Sequence, residues 1–130
     1  MINKKYLIDF CRETMNHTDG YFLSSDFEGW CEGMSALIAY AAINLFDFPG
    51  DVKIVYGTFD GKGHTWCELD GEIVDGSVDQ FGDDYSIYSC RLYSDKYSKE
   101  SVVTVSELDE LIWDSDVEYM NYNFNLYKTA

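Results

Sequence analysis

The chain has 130 residues, a length that suits one folded domain. Its composition is 46% hydrophobic and 17% aromatic, which suffices for a buried core and argues against intrinsic disorder. Nine basic residues stand against twenty-four acidic ones, and the net charge of −15 repels nucleic-acid phosphates and anionic lipid surfaces. We therefore expect a single domain over residues 1–130 that binds neither nucleic acid nor membranes.

The N-terminal stretch Ile2–Asn16 carries charges throughout and lacks the apolar run of a signal peptide. No stretch approaches the roughly 20 apolar residues that a membrane-spanning helix needs. The four cysteines, Cys11, Cys31, Cys67 and Cys90, form no Cys-x-x-Cys unit. We expect a cytoplasmic protein with reduced thiols.

Two helices are predicted in the first part of the chain. The first covers residues 3–16, with Cys11 on its apolar side and His17 in a loop that follows it. The second lies between Gly29 and Phe46, where apolar residues recur at helical spacing. Its stripe consists of Met34, Leu37, Ile38, Ala41, Ala42 and Leu45. Extended backwards by three residues, the stripe reaches Cys31, in the first turn, where free backbone N–H groups and the helix dipole favour a thiolate.

Strands follow the second helix. Residues 52–59 alternate as a strand does, and a tight turn over residues 60–63 leads into the segment that begins at His64. Asp70-Gly71 is a strong signal for a two-residue hairpin, which places Leu69 opposite Glu72. With this register, His64 and Asp75 share one face as diagonal neighbours, roughly 7–8 Å apart at the backbone.

A helix that carries a cysteine and is followed by antiparallel strands indicates an α+β fold, in which this helix packs on one face of the sheet. If that face is the one with His64 and Asp75, periodicity alone brings Cys31 into a Cys-His-Asp triad. Further along, residues 85–93 are predicted as a weak strand and 93–101 as a polar connector. Ser106 is a plausible helix N-cap, and the alternation of apolar residues with asparagine over 120–126 predicts a last strand.

Three short motifs in this part of the chain resemble those of a known family. Gly29-Trp-Cys-Glu-Gly-Met-Ser-Ala-Leu37, His64-Thr-Trp-Cys-Glu68 and Asp75-Gly-Ser77 are similar to the core motifs of the transglutaminase-like superfamily. Members of this superfamily are cysteine enzymes with a papain-like arrangement, in which a cysteine at a helix start meets a histidine and an aspartate on neighbouring strands. The ending Gln80-Phe81 resembles that of small bacterial and viral members. The resemblance covers residues 29–81.

The resemblance implies that Cys31 is the nucleophile, His64 the base and Asp75 the residue that orients the histidine. The expected reaction is the hydrolysis of an amide in a protein or peptide through a thioester acyl-enzyme, by a peptidase or a deamidase. The backbone N–H of Cys31 is the natural oxyanion donor. The candidates for a second oxyanion donor or a substrate contact are Trp30, Trp66, Gln80 and Asn16.

Two other functions stay open from the sequence. An amine in place of water would make the protein a transglutaminase-type acyltransferase, although the chain is small for a protein cross-linking enzyme. Alternatively, the fold is a binding module with an idle triad, for which the acidic charge and many tyrosines could form a protein-recognition surface.

We expect no cofactor and no metal ion. A zinc site built from Cys31, His64, Cys67 and Cys90 would fail on geometry, because Cys67 points to the strand face opposite to His64. The sequence does not predict the oligomeric state.

Overall fold

The computed structural model describes residues 3–19, 30–82, 84–103, 112 and 114–129. These residues form three α-helices, two 3-10 helices and one antiparallel sheet of four strands. The α-helices are α1 (Lys4–Asp19), α2 (Trp30–Asn44) and α3 (Asp114–Thr129), the strands are β1 (Val52–Phe59), β2 (Lys62–Leu69), β3 (Glu72–Val74) and β4 (Tyr97–Val103), and the 3-10 helices are Val78–Phe81 and Cys90–Lys96. The predicted α+β class is confirmed.

Two Asp-Gly turns set the register of the sheet. Asp60 and Gly61 have φ angles of 52° and 80°, and Asp70 and Gly71 have φ angles of 52° and 82°. Positive φ at both central residues is the geometry of a type I′ hairpin, whose twist matches that of the flanking strands. The two hairpins join β1 to β2 and β2 to β3, and the strand order is β3-β2-β1-β4. The predicted pairing of Leu69 with Glu72 is confirmed.

Helix α2 packs on one face of this sheet, as expected. It does not pack on the face that carries His64 and Asp75, which the prediction of the triad from periodicity required. The core that includes α2 contains the side chains Val52, Ile54, Cys67, Leu69 and Val74 from the sheet. His64, Trp66 and Glu68 point to the other face, because side chains alternate along β2. The physical reason is composition: the α2 face is nearly all apolar, whereas the other face carries a histidine and a carboxylate.

The second face is covered by an aromatic cluster. Its buried members are Phe59, Val78 and Cys90, and the rings of Phe81, Tyr85, Tyr93 and Tyr97 pack against them. Phe59 lies at the centre, with ring centroids of Phe81 and Tyr97 each 4.9 Å away. The chain beyond β3 therefore wraps over the face of the sheet that α2 leaves uncovered.

Three predictions of secondary structure in the second half of the chain were wrong. Residues 120–126 belong to α3 and not to a strand, because Met120, Asn123 and Phe124 also recur at helical spacing and turn inward, where Phe124 packs on Phe46 with centroids 5.1 Å apart. Residues 85–93 form turns and the start of a 3-10 helix, and the predicted connector contains most of β4.

The helix predicted after Ser106 lies outside the described residues. Within the described ranges, every α-helix is too short or too polar to serve as a membrane span.

Candidate active site

Cys31 lies in the first turn of α2, as predicted, since the helix begins at Trp30. The thiol is partly exposed, whereas the α2 residues from Met34 to Ala39 are buried. Ser35 ties the turn together by donating its hydroxyl to the Cys31 carbonyl at 2.8 Å. The first turn of a helix leaves its backbone N–H groups without partners in the helix, so donors are available beside the sulfur.

The open edge of β2 receives this cysteine. In a two-residue hairpin the residues that flank the turn form a hydrogen-bonded pair, and the direction of the backbone N–H groups repeats every second residue. Thr65 therefore points its N–H towards the β3 side, as Leu69 and Cys67 do. The β3 ladder ends where Cys67 pairs with Val74, so it supplies no partner for Thr65. The Thr65 N–H and hydroxyl face the Cys31 sulfur instead and help to lower the pKa of the thiol.

His64 and Asp75 are joined by a short hydrogen bond. The His64 Nε2–H donates to Asp75 Oδ2 at 2.7 Å, and both side chains are buried. Asp75 follows directly after β3, so the Asp70-Gly71 turn sets its distance from His64 along the hairpin. The other carboxylate oxygen, Oδ1, accepts hydrogen bonds from the N–H of Ser77 at 3.0 Å and from its hydroxyl at 3.1 Å. The aspartate is thereby held in one orientation.

The geometry leaves one ring nitrogen for the thiol. Because Asp75 engages Nε2, the remaining nitrogen is Nδ1, and the side chains of His64 and Cys31 are close enough to shift each other's pKa. Cys31 thus meets His64 although α2 packs on the opposite face. The cysteine sits beside the strand edge, where it reaches both Thr65 and His64, two consecutive residues that point to opposite faces.

The pKa values of the cysteine and the histidine move in opposite directions. Burial alone would raise the pKa of the Cys31 thiol, but the hydrogen bond and positive charge of His64, helped by Thr65, outweigh burial and lower it. Burial alone would lower the pKa of His64, but the hydrogen bonds and charges of Asp75 and Cys31 raise it to about 9. The arrangement favours a thiolate next to an imidazolium over a neutral thiol–imidazole pair.

The other three cysteines have the opposite environment. Burial raises the pKa of Cys11 and Cys67 well above the usual thiol value and that of Cys90 to about 12. All four cysteines are free thiols. No group of three or more histidine, cysteine or acidic side chains within the described ranges is arranged to hold a metal ion. Cys31 is therefore the one thiol of the four that is both accessible and activated.

Two other predicted site residues, Gln80 and Trp66, lie next to His64. Gln80, an exposed residue of the 3-10 helix Val78–Phe81, puts its amide nitrogen 3.4 Å from His64 Nδ1, beside the reacting groups. Trp66 is fully buried, and its indole N–H donates to Glu68 at 3.4 Å. Its ring packs alongside the imidazole of His64, with ring centroids 5.9 Å apart.

Three further residues, Trp30, Asn16 and His17, lie in the helices α1 and α2. Trp30 begins α2, but its side chain lies outside the described part of the structure. Asn16 is an exposed residue of α1. His17 also lies in α1, and not in a loop as predicted, and its ring stacks on Tyr119 of α3 with centroids 4.0 Å apart.

Two residues at the site were missed by sequence reasoning. For Thr65, the hairpin register points the N–H towards β3, but only the structure shows that β3 ends before it reaches this residue. Tyr97, whose hydroxyl donates to Asp75 Oδ2 at 2.7 Å, has no signal in the sequence, because it lies in β4, where the sequence predicts a polar connector.

Comparisons with known proteins add no assignment. Family models, curated protein sequences and solved structures were each compared with the chain, and none of them matches it. The functional argument therefore rests on the residues of this chain.

Proposed function

We propose that this protein is a cysteine amide hydrolase, a peptidase or a deamidase, that acts through a thioester on Cys31. The observation that carries the proposal is the continuous chain of contacts from the buried Asp75 through His64 to the Cys31 thiol. A structural role for these residues would not require an accessible thiol with a lowered pKa. Perturbed pKa values that have a specific charge partner are typical of functional sites.

In the first step, the Cys31 thiolate attacks the carbonyl carbon of the amide and forms a carbon–sulfur bond. Negative charge develops on the carbonyl oxygen, and the backbone N–H of Cys31 stabilises it, because preorganised donors at a helix start need no rearrangement. His64 then gives the proton on Nδ1 to the leaving amine as the carbon–nitrogen bond breaks. The acyl group remains on the sulfur as a thioester.

In the second step, the neutral His64 takes a proton from water, and the resulting hydroxide attacks the thioester. The carbon–sulfur bond breaks, the product leaves as a carboxylic acid, and the thiolate–imidazolium pair is restored. Asp75 holds the ring so that Nδ1 faces the sulfur in both steps, and its charge stabilises the imidazolium.

Gln80 is our candidate for the second oxyanion donor. Its amide N–H groups lie beside the imidazole nitrogen that faces the thiol, and the exposed position of the residue leaves it accessible to a substrate. Side-chain amides serve as oxyanion donors in other hydrolases.

We further propose that the fold belongs to the papain-like, transglutaminase-like type. The helix-start cysteine, the histidine at the open edge of β2 and the aspartate at the end of β3 support this assignment. So does the similarity of the three motifs between residues 29 and 81.

Selective alkylation tests whether the triad is assembled. In brief treatment of the folded protein with iodoacetamide at mildly acidic pH, followed by peptide mass spectrometry, Cys31 should be labelled before Cys11, Cys67 and Cys90. Only Cys31 has a lowered pKa, and the thiolate is the form that reacts. His64→Ala should slow the labelling of Cys31 substantially, whereas His17→Ala, at an exposed position of α1, should leave it unchanged. Equal labelling of all four thiols would refute the proposal.

The reaction class is tested with a tryptic digest of casein in water enriched in heavy oxygen. A peptidase would cut peptide bonds and a deamidase would convert glutamine to glutamate, each with one heavy oxygen in the new carboxylate. Addition of the fluorescent amine monodansylcadaverine tests acyl transfer. Amine incorporation without heavy-oxygen incorporation would replace our proposal with the transferase alternative.

A further inference from the structure

Tyr97 touches the carboxylate of the triad from the far edge of the sheet. It is the first residue of β4 and pairs with Phe59 at the end of β1. Its hydroxyl donates to Asp75 Oδ2 at 2.7 Å, the oxygen that also accepts the hydrogen bond from His64 at the same distance. One carboxylate oxygen is therefore shared between the imidazole and the phenol.

The hydrogen-bonding capacity of this carboxylate is filled. Ser77 supplies two donors to Oδ1, and His64 and Tyr97 supply one each to Oδ2. A carboxylate offers about four lone-pair positions. Four donors fill these positions, so any gain in one of these bonds comes at the expense of another.

We propose that Tyr97 is a positioning residue, which limits the strength of the Asp75–His64 hydrogen bond and thereby sets the pH at which His64 gives up its proton. The inference rests on the proposed function. The phenol bond is strongest when Asp75 is an anion beside a neutral imidazole, because the positive charge of an imidazolium already compensates the carboxylate. Tyr97 therefore stabilises the neutral form of His64 relative to the cation. A histidine that must alternate between acid and base within one turnover benefits from a proton that is not held too tightly.

The surroundings leave few other groups that could set this titration. His64 is faced by the Cys31 thiol from α2, by Asp75 and Tyr97, and by the uncharged Gln80 amide, 3.4 Å from Nδ1. The Cys90 thiol lies behind Asp75 and next to the Tyr97 hydroxyl. Cys90 stays neutral at physiological pH, because burial raises its pKa to about 12. Burial and the nearby Asp75 likewise raise the pKa of Tyr97, so it acts as a neutral donor.

The Tyr97 ring is locked by its neighbours, which makes a clean substitution possible. Its centroid lies 4.9 Å from those of Phe59 and Trp66, both in edge-to-face contact. Phenylalanine keeps these contacts and removes only the hydroxyl. Tyr93→Phe is the matched control, because the Tyr93 hydroxyl donates to the Asp84 carbonyl at 3.1 Å in the same aromatic cluster and does not touch the triad.

The experiment is an NMR titration of the His64 ring in wild type, Tyr97→Phe and Tyr93→Phe, with unfolding curves to verify that all three are folded. In Tyr97→Phe the midpoint for His64 should rise by roughly half a pH unit, because Asp75 then gives its charge to the imidazole alone. Tyr93→Phe should titrate as wild type does. An unchanged midpoint in Tyr97→Phe, or an equal shift in both variants, would overturn the proposal.

Kinetics separate this inference from the proposed function. With a cleaved casein peptide as substrate, Tyr97→Phe should lower kcat several-fold and leave KM unchanged, because Tyr97 lies behind the imidazole. If wild type hydrolyses no amide but the His64 midpoint still moves, the proposed function fails and the role of Tyr97 stands. If hydrolysis occurs and the midpoint does not move, the reverse holds.

Discussion

The two faces of the sheet use the same strands for different purposes. The face under α2 is apolar, with Ile54, Cys67 and Leu69 packed among aliphatic side chains. The other face of β2 carries the buried polar groups His64 and Glu68. Each polar group on that face has a partner: Lys99 donates to Glu68 at 2.9 Å, and Asp75 accepts from His64. One face stabilises the fold by burial alone, whereas the other maintains charges out of water by pairing them.

This difference shows where a reactive thiol can arise. Cys67 lies on the apolar face, where burial raises its pKa and no cation is near. Cys31 lies at the open edge of β2, where Thr65 from one face and His64 from the other both reach it. The activated thiol belongs to neither face but to the boundary between them. Three substitutions test this comparison.

The largest effect is expected for Asp75→Asn on the polar face. Loss of the carboxylate charge should reduce kcat by about 10³-fold to 10⁴-fold, as the loss of the orienting aspartate does in other triads. The pKa of His64, now raised to about 9, should fall, because Asp75 provides the strongest hydrogen bond and charge that raise it. The pH–rate profile gives both quantities.

The same profile provides the sign of the pH dependence. In wild type, hydrolysis should decline below the lowered pKa of Cys31, where the thiol is protonated, and again above about pH 9, where His64 loses the proton that the leaving amine needs. The rate of Cys31 alkylation should show only the decline at low pH, because alkylation needs the thiolate but no proton from His64. In Asp75→Asn the alkaline limb should move to lower pH. An alkaline limb that stays in place would contradict the assigned role of Asp75.

A smaller effect, on stability, is expected for Gly57→Ala. Gly57 pairs with His64, and an added Cβ would lie 1.9 Å from the Ser98 carbonyl oxygen and 2.9 Å from the Trp66 ring. Relief of that overlap requires β4 to shift, so the free energy of unfolding should fall by about 1–3 kcal/mol in urea denaturation. Gly63→Ala is the control, because nothing lies within 4 Å of its added Cβ. Equal stability of the two variants would show that β4 is not packed as described.

The smallest effect on activity is expected for Cys67→Ser on the apolar face. The hydroxyl would be buried among aliphatic side chains, which costs about 1–3 kcal/mol in the free energy of unfolding. The activity of each folded molecule should stay at the wild-type level, since Cys67 does not touch the triad. Cys31→Ser should show the reverse, a folded protein without hydrolysis. Loss of activity in folded Cys67→Ser would show that the apolar face takes part in catalysis, which would contradict the proposed site.

Local sequence determined most of what brings His64 and Asp75 together. Asp-Gly adopts positive φ at both turn positions with little strain, so the Asp70-Gly71 pair alone predicted the register of the β2–β3 hairpin. The first turn was predicted over residues 60–63, whereas it closes over Asp60 and Gly61, and β2 already begins at Lys62. The helical period of α2 likewise placed Cys31 in a first turn. These features depend on dihedral preferences and on spacing, which neighbours in sequence decide.

Tertiary structure decided on which face of the sheet α2 packs, that the last segment forms the helix α3, and that β4 forms an edge strand. Alternation at residues 120–126 fits a strand, yet packing of Phe124 on Phe46 favours a helix, because both periods place apolar groups inward. The face on which α2 packs depends on the total apolar area that all the strands bury on each face. The sequence of any single segment does not determine that total. Tyr97 reaches Asp75 only because β4 pairs with β1, and a pairing between residues 38 to 49 positions apart leaves no trace in the local pattern of either segment.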